Sequence, residues 1–317
     1  MNTCRPATSL LVAILLSFLA PGLTAQTIDL RHAWTPGESH RYRIAETMDQ
    51  TISGPLHVEL HWERTIEYTD RISPAPGDAV RVERTFDRVA IEVTRDSEPP
   101  ATYDTADPKQ GDPSHPLIEP FLGLEGGKVS FEITPEGRVS NVRGAAGVLQ
   151  AMLGPLAHGS LSGASWSSPG QPDTQKAVAR QLEQALRVLP GRPVRQGDRW
   201  PIEIDHASPF AGALTSDLTG TLRGMDPKTD AARIELDGAL KLTPPGPDEA
   251  PSLAGLVGIT LESGKVVGSI LFDESEGRII ASRTSLDTAW QVGPALVDGQ
   301  EPMAQTIRQT AELETLP

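Results

Sequence analysis

Apolar and polar residues alternate with a period of two through most of the first third of the chain, the pattern of strands that bury one face. Tyr42, Ile44 and Met48 share one face of a first long strand, with Arg41, Arg43 and Asp49 on the other. Beyond a turn at Ser53-Gly54-Pro55, the apolar set continues through Leu56, Val58, Leu60, Trp62, Ile66 and Tyr68. His57, Glu59, His61, Glu63 and Glu67 take the opposite face. A third strand opens on Val80 and Val82 but closes on Val89, Ile91 and Val93. The parity flips in between, which predicts a β-bulge or break near Phe86–Arg88. These three strands form a meander.

Residues 96–120 are rich in Pro and Asp and read as a long loop, whose end at Leu117, Ile118, Phe121 and Leu122 packs as a helical turn. A hairpin follows, 128–133 and 138–142 around Thr134-Pro135-Glu136-Gly137. The spacing then predicts two helices. One is short, Ala145 to Leu153; the other runs from about Thr174 to Leu189, with Asp173 as N-cap and Pro190-Gly191 as its stop. Val178, Leu182, Leu186 and Leu189 form the apolar stripe of the second, and a Ser/Gly/Pro linker at 158–172 separates the pair.

Strands return in the last third. Leu218 and Leu222 share a face, as do Ile234, Leu236, Leu240 and Leu242. A long hairpin runs from 266–272 into 278–292, and a final strand carries Met303, Ile307, Ala311 and Leu313. Residues 128–140 and 265–282 repeat faintly, as hairpins with an acidic-Gly-Arg turn.

The expectation is a mainly β protein: an extended, curved antiparallel sheet, half-barrel-like, with a two-helix insert on its concave side. One β-rich domain would span 26–317, strand-rich at 26–143 and 191–317 with the helical insert at 144–190. Its inner face is interrupted by Ser216, Gly220, Gly238, Ser282, Thr284 and Thr288. Such small or polar groups leave either a cavity or room for close packing.

Composition narrows the function. The 317 residues carry 42 acidic and 28 basic side chains, a formal charge of −14, which argues against nucleic acid as a partner. Arg5, the apolar run Leu10 to Ala20 and Leu23-Thr24-Ala25 read as a signal peptide, residues 1–25, cleaved near Ala25. The protein is therefore expected outside the cytoplasm, periplasmic or extracellular. No later apolar run approaches the roughly 20 residues of a membrane span. Cys4, the single cysteine, precedes the apolar run and leaves with it. A cysteine-free mature chain rules out disulfides, thiol nucleophiles and Cys-ligated metals.

Catalytic signatures are missing from the pattern. His57-Val58-Glu59-Leu60-His61 lacks the helical HExxH spacing and reads as a solvated strand face. Gly123 to Ser130 ends like a phosphate loop but leads into a strand, and Gly159–Gly163 places Leu161 where a nucleophile would stand. Asp104, Asp107 and Asp112 do not have EF-hand spacing. No metal, cofactor or catalytic residue is assigned. The one pointed polar feature is Glu46 with Arg64, charged residues on the apolar faces of the first two strands. If paired positions sum to about 108, Glu46 lies opposite Trp62 and diagonal to Arg64, within reach as an ion pair. These two are the candidate ligand-binding residues.

Two segments carry a resemblance. Leu30 to Ile44 contains Pro36-Gly37-Glu38 before Arg41-Tyr42-Arg43, and Leu189 to Trp200 reads LP-x-x-PV-x-x-GD-x-W. With residues 131–144, these motifs resemble an uncharacterised family of exported bacterial proteins, a domain of unknown function. The helices-on-curved-sheet picture is similar in architecture to bacterial lipoprotein carriers, an analogy of shape. The resulting expectation is a non-enzymatic binding protein for an amphiphile, such as a lipid, or for a partner segment. The alternatives are an envelope structural or protein-interaction protein without a small ligand, and a hydrolase.

Overall fold

A computed structural model describes residues 27–116, 118–122, 124–144, 174–208, 212–243, 259–293 and 302–317. In chain order the strands are β1 (Thr27–Asp29), β2 (Ser39–Ser53), β3 (Val58–Pro74), β4 (Val80–Arg95), β5 (Ala101–Asp104), β6 (Lys128–Ile133) and β7 (Val139–Arg143). A helix α1 (Thr174–Leu186) leads to β8 (Pro193–Arg195), β9 (Arg199–Ser208), β10 (Gly212–Met225) and β11 (Ala232–Thr243). The last strands are β12 (Ile259–Asp273), β13 (Arg278–Val292) and β14 (Met303–Leu316).

All but β1 and β8 join one 12-stranded antiparallel sheet, in the order β7-β6-β4-β3-β2-β14-β13-β12-β11-β10-β9, with β5 on β4. Closure between the meander and the second half of the chain comes from β14, which pairs with β2 and β13 at once. The sheet is curved but does not close into a barrel; β7 and β9 remain as edges. The expected bulge is present: Glu67 pairs with Arg88 and Tyr68 with Phe86, so Asp87 is the extra residue that flips the parity of β4.

The register threads single rows across the sheet, and directly paired residues share a face. One row runs Val89, Ile66, Ile44, Leu313, Ser282, Ile270, Ile234, Leu222. The apolar residues of both halves therefore lie on one continuous inner face. They form two packed clusters on it. The first centres on Tyr42, Trp62, Ile66, Val89 and Phe131, the second on Trp200, Leu222, Ile234 and Phe272.

Several expectations are corrected. Of the two-helix insert on the concave side, only α1 is described; the expected helix Ala145–Leu153, the linker at 158–172 and the N-cap Asp173 lie outside the described residues. Helix α1 ends at Leu186, not Leu189, because the chain must turn there for Val188 and Leu189 to reach the second cluster. It packs against β7 and also touches β9, the two ends of the strand order, with Ala179, Leu182 and Leu186 against the first cluster. The loop at 96–120 is shorter than expected, since Ala101–Asp104 adds strand β5 to β4. Leu56 belongs to the β2–β3 turn and is exposed, leaving the apolar set. The signal segment 1–25 lies outside the described residues.

One end of the sheet is covered by residues 27–38. Ile28 and Leu30 sink into the second cluster, while Trp34 packs on the first. Ala33 donates to the Gly277 carbonyl at 2.9 Å and Gly37 to that of Ile72 at 2.8 Å, fixing the segment across the strand ends. Gly37, in the Pro-Gly-Glu motif, takes φ +98°, a backbone only glycine adopts freely.

Candidate functional site

The candidate pair does come together, in a different register. Paired positions of β2 and β3 sum to 110, so Glu46 faces Arg64 directly and Met48 faces Trp62. The correction of two residues follows from the turn, which runs through Leu56 and His57 before β3 begins at Val58. The Arg64 guanidinium forms an ion pair with Glu46, through Nη2 and Oε2, and is 6% exposed. It also lies 5.1 Å from the centre of the Trp62 ring and 5.2 Å from that of Phe121. The Glu46 carboxylate and the two aromatic rings help to compensate the buried cation. Phe121 was readable only as part of a helical turn; nothing local in the sequence aims it at Arg64, 57 positions earlier in the numbering.

The row containing this pair continues through Ala311, Thr284, Gly268, Leu236, Gly220 and Trp200. Small residues in it serve two purposes. On β10, Gly220 is the bed for the Trp200 indole: a Cβ there would lie 2.4 Å from Cε2 of the ring. The same indole donates from Nε1 to the Val188 carbonyl at 3.0 Å. Gly238 likewise accommodates Leu218, and Ser216 is buried. Close packing therefore accounts for the small residues of β10 and β11. On β14, β13 and β12 the inner face differs. Ala311, Thr284, Leu313, Leu286, Ile307 and Val266 are all only partly buried. A partly buried apolar span joins the two packed clusters, with Ile307 and Leu313 against the first and Val266 against the second, and Glu46 and Arg64 on its flank.

A second polar group occupies the covered end of the same face. Asp70 accepts two hydrogen bonds from Arg84, each 2.8 Å, and Arg84 stacks 3.9 Å over the Tyr68 ring, which stacks on Tyr42. Burial pushes the Tyr68 and Tyr42 hydroxyls above their ordinary pKa. Burial alone would depress Arg84; Asp70 more than reverses it, holding the guanidinium charged. Nearby, His32 stacks on Trp34 at 5.6 Å and meets Phe272 edge-on. Burial pushes its imidazole down to about 4, opposed by the Leu186 carbonyl.

The outer face is polar. Glu67 is buried among Arg41, Arg43 and Arg88, and Asp104 pairs with Arg88 at 2.7 Å. Asp104 is thereby committed to a cation of the sheet, and Asp112 to Ser114. A shallow hollow of about 310 Å³ opens on this face, not the inner one, lined by Arg43, Ala45, Ala281, Arg283, Glu312 and Glu314. Its charges already pair, Arg43 with Glu314 and Arg283 with Glu312. Glu59 and His61 stand on the outer face too, with His57 in the turn before them; His61 bonds Asp49 at 2.7 Å, which raises its pKa. Among the described residues no group of three His, Asp or Glu is placed to hold a metal, and no helix is long and apolar enough to cross a membrane.

Residues 77–279, more than half of the chain, match the model of a family described as "Family of unknown function (DUF6263)". No curated protein matches. Among solved structures, the chain is similar to lipovitellin, from a study of its lipid–protein interactions, at 12% identity and a TM-score of 0.46. The match covers 90% of this chain but only 26% of that one, so this chain spans about a quarter of its length. DynF from the dynemicin biosynthesis pathway of Micromonospora chersina matches at 8% identity, covering 91% and 85% of the two chains, with a TM-score of 0.19. A DUF1329 family protein from Desulfovibrio piger matches at 10% identity, covering 86% and 84%, with a TM-score of 0.16.

Proposed function

The chain belongs to this family of unknown function, and because the family brings no activity with it we propose, from the geometry, that the protein is a non-enzymatic, exported binding protein whose inner sheet face takes up an amphiphile. The observation that carries this reading is the partly buried apolar span on β12–β14. Leu286, Ile307, Leu313 and Val266 share one face yet stay partly open, while the apolar groups on either side are buried. Apolar surface left open between two packed clusters gains free energy, about 25 cal/mol per Å², when a ligand covers it. Glu46 and Arg64, on the same face, supply polar partners for a headgroup.

A competing reading has its own observation. The Trp200–Gly220 and Leu218–Gly238 contacts fill the face on β9–β11, as in an envelope interaction protein without a small ligand.

Native mass spectrometry of residues 26–317 purified from a bacterial periplasm, followed by organic extraction, separates the two. A reproducible adduct of lipid mass, lost on denaturation, is the expected result. A clean apo mass after incubation with envelope lipids overturns the amphiphile reading and favours the second.

A further inference from the structure

We infer that the amphiphile is one whose chain carries secondary amides, read by a line of polar side chains down the middle of the inner face; this rests on the binding reading above and names its ligand class. Strands β13 and β14 pair residue for residue, so the inner face there is a ladder whose rungs stand two residues apart, about 7 Å. The rungs are Ser282–Leu313, Thr284–Ala311, Leu286–Gln309, Thr288–Ile307 and Trp290–Gln305. Each joins one hydroxyl or amide group to one largely apolar side chain. On β3 and β4, by contrast, the same face is filled mostly by buried apolar groups, among them Trp62, Ile66, Val89, Ile91 and Val93.

The polar groups of the ladder are not used up inside the sheet. Thr288 Oγ1 accepts from Trp290 Nε1 at 3.0 Å, but among the described residues Ser282, Thr284, Gln305 and Gln309 have no side-chain hydrogen-bond partner. Gln305 is only 7% exposed, so little water reaches an amide that both donates and accepts. Buried polar groups are nearly always paired, and one left unpaired costs free energy. A plain hydrocarbon chain laid over the ladder would rest on Leu286, Ile307 and Leu313. It would also strip water from Gln309, Thr284 and Ser282, all only partly buried, without replacing the hydrogen bonds that water makes. A chain interrupted by amides meets both needs. Its methylenes cover the apolar half of each rung, and its N–H and C=O groups meet the Gln305 and Gln309 amides and the hydroxyls of Thr284 and Ser282. Glutamine suits such a partner, because its side chain offers the same donor and acceptor as the amide it would meet. The ladder carries no formal charge, which leaves the Glu46–Arg64 pair for the head.

Two dansylated fatty acids of equal length test this on the full chain: a plain one, and one in which two secondary amides about 7 Å apart replace methylenes. Affinities are read by fluorescence titration, and the folding of each variant by its urea midpoint. In Gln309→Leu the affinity for the amide probe should fall at least tenfold relative to the plain one, whose own affinity stays level or rises. Thr284→Val keeps the shape of the side chain and loses the hydroxyl, so it should move the ratio about threefold in the same direction. A ratio unchanged in Gln309→Leu overturns the inference; if that chain does not fold, an unchanged ratio in Thr284→Val does so. A parent chain that binds the plain probe and not the amide one also overturns it, and leaves the amphiphile reading standing. If the parent binds neither probe, the amphiphile reading has failed and the ligand class falls with it.

Discussion

Arg64 stands directly across from Glu46 on neighbouring strands, on the inner face of the sheet, with its guanidinium 5.1 Å from the Trp62 ring and 5.2 Å from the Phe121 ring. A buried cation depends on its carboxylate partner more than an exposed pair would. Glu46→Gln keeps an acceptor oxygen and loses the charge, so a loss of about 1–2 kcal/mol is expected in urea unfolding. Affinity for an anionic amphiphile should change in the same variant. Unchanged stability together with unchanged binding would remove the pair from both roles.

Gly220 makes a sharper packing test. An alanine methyl there collides with the Trp200 ring at 2.4 Å and pushes the indole off the Val188 carbonyl. Overpacking and a lost buried hydrogen bond together should cost about 3 kcal/mol. A red shift of the tryptophan fluorescence should accompany the loss. A Gly220→Ala chain as stable as the parent would mean that Trp200 does not lie over this position.

The buried imidazole of His32 ties stability to pH. Its pKa of about 4 lies below the ordinary 6.5, so the unfolded chain binds the proton first. The contribution is complete above pH 6.5, falls as pH drops from 6.5 to about 4, and amounts to about 3 kcal/mol over that window. His32→Phe keeps the stacking on Trp34 and should flatten the pH profile of urea midpoints between these limits. A variant whose profile matches the parent would place the titration elsewhere.

His61 behaves in the opposite sense. The Asp49 hydrogen bond raises its pKa, so the pair is complete below the unfolded value and is lost as pH rises through the folded one. In an NMR titration His61 should titrate above an exposed histidine, and Asp49→Asn should return it to the ordinary range. Zinc should not shift its resonances more than those of other exposed histidines, because its neighbours Asp49 and Glu63 are not gathered into a ligand set. A strong zinc-induced shift would revive the metal reading of the His57–His61 segment.

Local pattern carried the strands well, because a period of two is imposed by the backbone itself and survives any tertiary arrangement. The Asp87 bulge was legible for the same reason: one extra residue inverts every side chain after it. Register was less legible. The β2–β3 turn is longer than Ser53-Gly54-Pro55, and Leu56 and His57, although in phase with the strand, lie in that turn. The pairing of β14 with β2 joins residues more than 250 positions apart and leaves no mark in either segment. Two charges on an apolar stripe were enough to single out Glu46 and Arg64 as a pair. The rings that hold Arg64 were not, since Phe121 arrives from a loop whose path depends on the assembled sheet.

The proposed binding surface can be told from the core by what substitution costs. Ile234 is fully buried in the second cluster, and Ile234→Ala should lose about 3 kcal/mol through transfer and cavity terms together. Leu286 stands on the same inner face but is only partly buried, between the clusters. A polar residue there forfeits less burial, so Leu286→Asn should cost about 1 kcal/mol. Its effect on ligand should be the larger one: tenfold or more in affinity for a dansylated fatty acid, read by fluorescence titration, because the lost contact lies where the acyl chain would rest. Ile307→Asn, on the adjacent strand one row away, should behave alike. If both variants lose stability as Ile234→Ala does, the span is core that the sheet already fills. If both keep stability and affinity, the ligand lies on another surface, and the charged hollow beside Arg43 and Arg283 becomes the place to look.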